Sequence, residues 1–275
     1  MRNKIDIYHI INKERVHLMY KGYSLKLEKD YYKDYFHVSD LEIKLYEMQM
    51  AILKGNLQTK LNERINLSNN VDNDLDGNKL INDWFPNYKA DIFISHSHDD
   101  VEMAKHLACW IERKFQLTTF IDSTVWGNSN DLLRNIDDKY AKEADGSYNY
   151  DIRNFTTSHV HMMLATALND VIYSSECLIF LNTPQSLSVT EIGNEQTNSP
   201  WIYNELKTAT TIKKVIPERH KESERDIFNK VPKINYDVSE ELSKFDDLDI
   251  IKLKTWQSKH KIFPEVHPLD ILYKL

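Results

Sequence analysis

Residues 91–100 read Asp-Ile-Phe-Ile-Ser-His-Ser-His-Asp-Asp, a short apolar run that stops in a cluster of serines, histidines and aspartates. Apolar runs of this length with polar ends suit a strand buried on both faces, as in a parallel sheet. Helical periodicity follows at once, with Val101, Ala104, Leu107, Ala108 and Ile111 mostly three and four apart. The polar cluster therefore stands where the carboxyl end of a strand turns into a helix. In open α/β sheets that edge is where ligands bind.

Working outward, strand and helix alternate. The pattern predicts a first strand over 90–95 and a helix over 100–114. A second strand over 117–122 (Leu-Thr-Thr-Phe-Ile-Asp) ends in a carboxylate. A helix over 159–174 and a third strand over 177–182 follow, and a further helix begins at Trp201. Lys233 to Val238 reads as another strand. Such alternation implies an α/β fold, a parallel sheet wrapped by helices. Between Ser123 and Ser158 lies a long polar excursion, partly helical in pattern. Upstream, residues 1–66 read as an N-terminal extension of mixed, partly helical character, with a strand over Ile5–Ile11. A helix from Ser39 to about Ile65 follows there, opened by a Ser39…Glu42 capping box. Residues 67–88 read as a polar linker with a bridging helix over Asn78–Trp84.

The chain has 275 residues, 41% of them hydrophobic and 28% charged, which fits a globular protein of one large or two smaller domains. No apolar stretch reaches the length of a membrane span, and the start carries no secretory core, so the expectation is a cytoplasmic protein that does not enter membranes. Lysine and arginine total 35 against 42 acidic residues, a net charge of −7, which argues against nucleic acid as partner. Lys213, Lys214, Arg219 and Lys221 read as a solvated loop. Cys109 and Cys177 lie in apolar segments, as buried thiols do. The six glycines form neither a dinucleotide fingerprint nor a phosphate loop.

Two constellations carry chemistry. His96, His98 and Asp100 satisfy most of the zinc pattern H-x-H-x-D-H, but Val101 stands where its last histidine belongs. Asp99 or Asp100 at a helix start is the better account. The second is Ser199-Pro200-Trp201-Ile202-Tyr203-Asn204-Glu205. Proline suits a first helical turn with Ser199 as cap. Trp201 and Glu205, four apart, then share a face. An aromatic plate beside a carboxylate can hold a flat heteroaromatic cation, and can stabilise the positive charge that develops when a glycosidic bond breaks. A half-buried tryptophan and a surface glutamate on an ordinary amphipathic helix would show the same spacing.

Taken in order, D-I-F-I-S, F-I-D, C-L-I-F-L-N and W-I-Y-N-E resemble the TIR (Toll/interleukin receptor) domain, over about Lys89 to Val238. Asp83–Pro86 (D-W-F-P), Phe93–Asp100, Phe120–Gly127 (F-I-D-S-T-V-W-G), Ser158–Leu164 (S-H-V-H-M-M-L) and Ser199–Glu205 resemble a bacterial group of TIR proteins more closely. The resemblance implies a flavodoxin-like TIR domain over 89–275 with an insertion at about 123–158. It also implies cleavage of NAD at the nicotinamide–ribose bond, with NAD as substrate and no cofactor or metal. By the same likeness Glu205 is catalytic and Trp201 stacks on the nicotinamide end. Ser95, His96 and Asp122 fall where the family touches substrate, and Trp126 joins them at the start of the closing loop. Partners implied are a second copy through TIR–TIR contacts and, as in Thoeris-type antiphage defence, a separate nucleotide-sensing effector or a phage component. The competing expectation is a TIR scaffold without turnover, since fold alone does not fix function.

Overall fold

The computed structural model of the chain describes residues 18–28, 31–52, 76–86, 88–126, 129–189, 195–217, 219 and 239–275. The expected strands over 5–11 and 233–238, the helical sequence from 53 to 65 and linker residues 67–75 and 87 lie outside them, whereas the expected bridging helix is present as Gly77–Trp84. Strands β1 (Lys21–Lys26), β2 (Ile92–Ser95), β3 (Thr119–Phe120), β4 (Cys177–Asn182) and β7 (Asp246–Leu248) form one parallel sheet in the order β3-β2-β4-β1-β7. A small antiparallel pair, β5 (Ser188–Val189) and β6 (Glu195–Gln196), stands apart from it. The helices are α1 (Tyr32–Phe36), α2 (40–52), α3 (Gly77–Trp84), α4 (Val101–Phe115), α5 (Asp122–Val125), α6 (Ser129–Tyr140) and α7 (Tyr150–Ser174). After these come α8 (Pro200–Thr211), α9 (Ser239–Leu242), α10 (Ile250–Ile262) and α11 (Pro268–Leu272).

The two-residue period of a strand sorts its side chains between two cores. Ile92, Ile94, Cys177, Ile179, Leu181, Tyr23 and Leu25 face α4 and α10, meeting Ala104, Leu107, Ile111 and Trp256. Phe93, Phe120, Leu178 and Phe180 point the other way, onto Leu168 and Val171 of α7 and Ile202 and Leu206 of α8. Burial on both faces explains why β2 and β4 read as unbroken apolar runs. Both cysteines are buried and free. From β2 the chain turns into α4 on one face, and beyond β4 it returns as α8 on the other. The gap between the ends of β2 and β4 is thus the switch point of the sheet.

The N-terminal region differs from its reading as an extension. Lys21–Lys26 lies inside the sheet, paired along its length with β4 and on its other side with β7. Its sequence, K-G-Y-S-L-K, hides this because one face must stay small. A Cβ on Gly22 would come within 2.7 Å of the Phe245 ring, and Ser24 accepts the Asn182 side-chain amide. Glycine inside a strand marks such a close approach. Helix α2 opens with the expected capping box: Glu42 accepts from the Ser39 amide and hydroxyl at 2.8 and 2.7 Å. Those bonds, with Arg113 behind them, lower the Glu42 carboxyl to about 2. Ile43 and Tyr46 then pack into the α4 core.

The excursion over 123–158 is folded rather than loop-like. Helix α6 buries Leu132 and Ile136, and α7 starts at Tyr150, nine residues before the expected His159. Asn149 caps α7, and buried Asp137 holds Arg153 and Thr156 in its first turns. In the basic group, Arg219 forms ion pairs with Glu176 and Asp270. Among the described residues no helix is long and apolar enough to cross a membrane.

If residues 21–26 are a working part of the sheet, Leu25→Ala empties a fully buried site and costs about 2–5 kcal/mol of stability. Urea denaturation measures it. A detachable extension predicts a single transition at the wild-type midpoint.

Candidate active site

Three consecutive strand ends build the site. Ser95 closes β2, and His96 and Ser97 continue from it. Asp122 comes two residues after β3, so the pairing of Ile92 with Thr119 and Phe93 with Phe120 sets Ser95–His96 beside Asp122–Ser123. After β4 the chain turns through Thr183–Ser186, where Ser186 Oγ accepts the Thr183 amide at 2.9 Å. Buried Asp100 ties the first and third of these loops together, because one of its oxygens accepts from both Ser97 and Thr183. The fourth wall is α8. Pro200 occupies its first turn and Ser199 Oγ accepts the Ile202 amide at 3.3 Å, the expected cap.

Between these walls lies a cleft of about 470 Å³ whose lining includes His96, Asp122, Ser123, Trp201, Ile202 and Glu205. Glu205 is only 4% exposed, and Ser95 Oγ donates to its Oε2 at 2.6 Å. Burial, and then the charge of Asp122, hold the Glu205 carboxyl well above the usual carboxylate range, with the Ser95 hydrogen bond opposing in part. Trp201 lies one turn before Glu205 on the same helix face. Its ring meets His161 of α7 edge-on at 5.6 Å. On the adjoining strand end, the His96 side chain is 4% exposed, with Nδ1 3.9 Å from Asp122 Oδ1 and Nε2 3.3 Å from Ser123 Oγ. Asp122 Oδ1 is itself fixed by the Ser123 amide at 2.6 Å.

The structure thus brings together Ser95, His96, Asp122, Trp201 and Glu205. Trp126 is placed elsewhere. It is 2% exposed, packed against Phe85 and Phe120, with its indole N–H donating to the Pro86 carbonyl at 3.1 Å. The D-W-F-P segment and the F-I-D-S-T-V-W-G segment are therefore two halves of one aromatic core, and Trp126 faces into it, away from the cleft. Residues that the sequence reading left out are Ser123 and the turn at 184–188 with residues 196–199. The signals available were T-P-Q-S after a strand, which suits a hydroxyl-closed turn, and a serine directly after the strand-ending Asp122. His96 and His98 do not form a metal centre with Asp100. Among the described residues no three His, Cys, Asp or Glu side chains converge in a way that could hold an ion. Chemically, the cleft offers the Glu205 carboxyl, biased toward its neutral form, Asp122 beside the His96 imidazole, the Trp201 plate, and His98 with Asp99 on its lining.

No protein-family model, no curated protein and no solved structure matches the chain. The functional reading rests on the cleft.

Two outcomes follow from this geometry. A raised folded-state pKa means that the cost of ionising Glu205 is absent below its unfolded pKa, near 4.5, and grows as pH rises above it. Glu205→Gln keeps an acceptor for Ser95 and never ionises, so it should melt above wild type at pH 8, with the gap closing toward pH 5. A constant gap, or a lower melting temperature for the variant at pH 8, contradicts the assignment. Trp126→Ala should lose about 3–5 kcal/mol in chemical denaturation, as a core tryptophan does. A surface contact residue would lose well under 1 kcal/mol.

Proposed function

We propose that the chain is a TIR-type enzyme that cleaves the nicotinamide–ribose bond of NAD. The observation that carries this reading is the pairing of Trp201 and Glu205 on one face of α8, with Glu205 tied to Ser95 at the switch point of the sheet. The substrate's leaving group is a flat pyridinium cation. Trp201 offers it a stacking surface, and Asp122 offers it negative potential. As the bond lengthens, the electron pair moves onto the ring nitrogen and the ribose takes on oxocarbenium character. A carboxyl group ionising beside that centre stabilises it most in the transition state, where the positive charge has reached the ribose. Little covalent work is asked of the protein. Positioning and charge suffice, which suits a cleft with few reactive groups.

The product is ADP-ribose or a cyclised isomer, made in antiphage defence as a signal for a separate effector or as a means of draining NAD. A non-catalytic assembly role is the second reading. It is favoured by an apolar stripe on α2, where Leu41, Leu45, Met48 and Ile52 recur at spacings of four, three and four and are each at least half exposed.

Incubation of concentrated protein with NAD, with and without phage lysate, separates the two by chromatography. Loss of NAD with release of nicotinamide is expected, falling about 100–1,000-fold in Glu205→Gln. Undiminished turnover in that variant, or a silent wild type under every condition, speaks for the scaffold.

A further inference from the structure

Bond cleavage leaves a ribosyl cation to be captured, and acceptors differ in one respect. Water or a hydroxyl must shed a proton as it bonds to C1′, whereas a pyridine nitrogen has none to lose. Glu205 is poorly placed to take that proton. Its Oε2 already accepts from Ser95, and its charge is engaged in stabilising the ribosyl cation. The other groups lining the cleft that can take a proton are His96, His98, Asp99 and Asp122, and of these His96 is the imidazole held between two partners. Its side chain is nearly enclosed, between Asp122 at Nδ1 and Ser123 Oγ at Nε2. Asp122 lies 3.9 Å from Nδ1, so its negative potential favours a proton on that nitrogen, and Nε2, which then accepts from Ser123 Oγ, is the nitrogen that can take a proton from an acceptor in Ser123's place. Ser123, itself part of the cleft lining, marks the position from which Nε2 can receive a proton.

On the reading that this cleft cleaves NAD, we propose that His96 is the general base that deprotonates the attacking water or hydroxyl. The C1′–N1 bond breaks with its electron pair passing to the nicotinamide nitrogen, which becomes neutral. The water oxygen bonds to C1′ and its proton moves to His96 Nε2. The imidazolium, paired with Asp122, then returns that proton to solvent. NAD⁺ and water give ADP-ribose, nicotinamide and one proton, and no further reactant is needed. His96 and Glu205 thereby divide the work: Glu205 governs departure of nicotinamide, and His96 governs which acceptors can follow.

The test supplies NAD together with excess 3-acetylpyridine and measures, by chromatography, both the exchanged dinucleotide and the solvolysis products, ADP-ribose and any isomer closed through a hydroxyl. In His96→Gln the ratio of exchange to solvolysis should rise on the order of 100-fold, because only solvolysis needs the base. Glu205→Gln should lose both. In His96→Ala, added imidazole should restore solvolysis and leave exchange unaffected. A loss of both products in proportion in folded His96→Gln overturns the proposal, as does an unchanged ratio. If wild-type protein makes neither product, it is the NAD-cleaving reading that fails, and with it this one.

Discussion

A carboxyl group buried at the crest of a parallel sheet is expensive unless something holds it, and here Ser95 holds Glu205. The rest of the site is arranged around that bond. For Glu205 to reach the end of β2, α8 must start just beyond the cleft. The Ser199 cap and Pro200 fix that start. Farther along α8, Asn204 and Thr208 both engage Asn169 of α7, which fixes the helix's rotation. For Ser95 to stay at the rim, the loop after it must not move, and Asp100 joins it to the loop after β4. The arrangement gives up stability as pH rises and leaves a carboxyl with a raised pKa at the cleft.

Much of this was legible in the sequence because its signals are local. β2, β3 and β4 announce themselves as apolar runs with polar ends, and Ser199-Pro200 announces the start of α8. The spacing of Trp201 and Glu205 needs nothing beyond helical geometry. What escaped depends on distant partners. β1 has charged ends and small residues on one face, and those make sense only once Phe245 and Asn182, more than 150 residues away, are seen against it. The first turns of α7 lack apolar periodicity and are held instead by Asp137. Trp126 lies next to the site in sequence, and resemblance alone could not say that its ring turns inward to Pro86. The contact of His96 with Ser123 arises from strand pairing between β2 and β3, and no motif records it.

The N-terminal strand alters how the molecule is organised. With β1 seated between β4 and β7, the sheet is completed by sequence that precedes its other strands, and α2 braces α4 through Arg113–Glu42 and Lys105–Glu47. The helices that frame the cleft therefore stand on a sheet whose far half begins near the amino terminus. β4 is the strand that borders both β1 and β2.

On the proposed reading, the carboxyl of Glu205, held above the usual carboxylate range by burial, gives up its proton when the pyridinium of NAD binds beside it. Titration calorimetry with a non-cleavable carbocyclic NAD analogue tests it directly, run near pH 7 in buffers of differing ionisation enthalpy. Proton release is expected on binding to wild type and none on binding to Glu205→Gln. Binding without proton release, or equal release in both proteins, would contradict it.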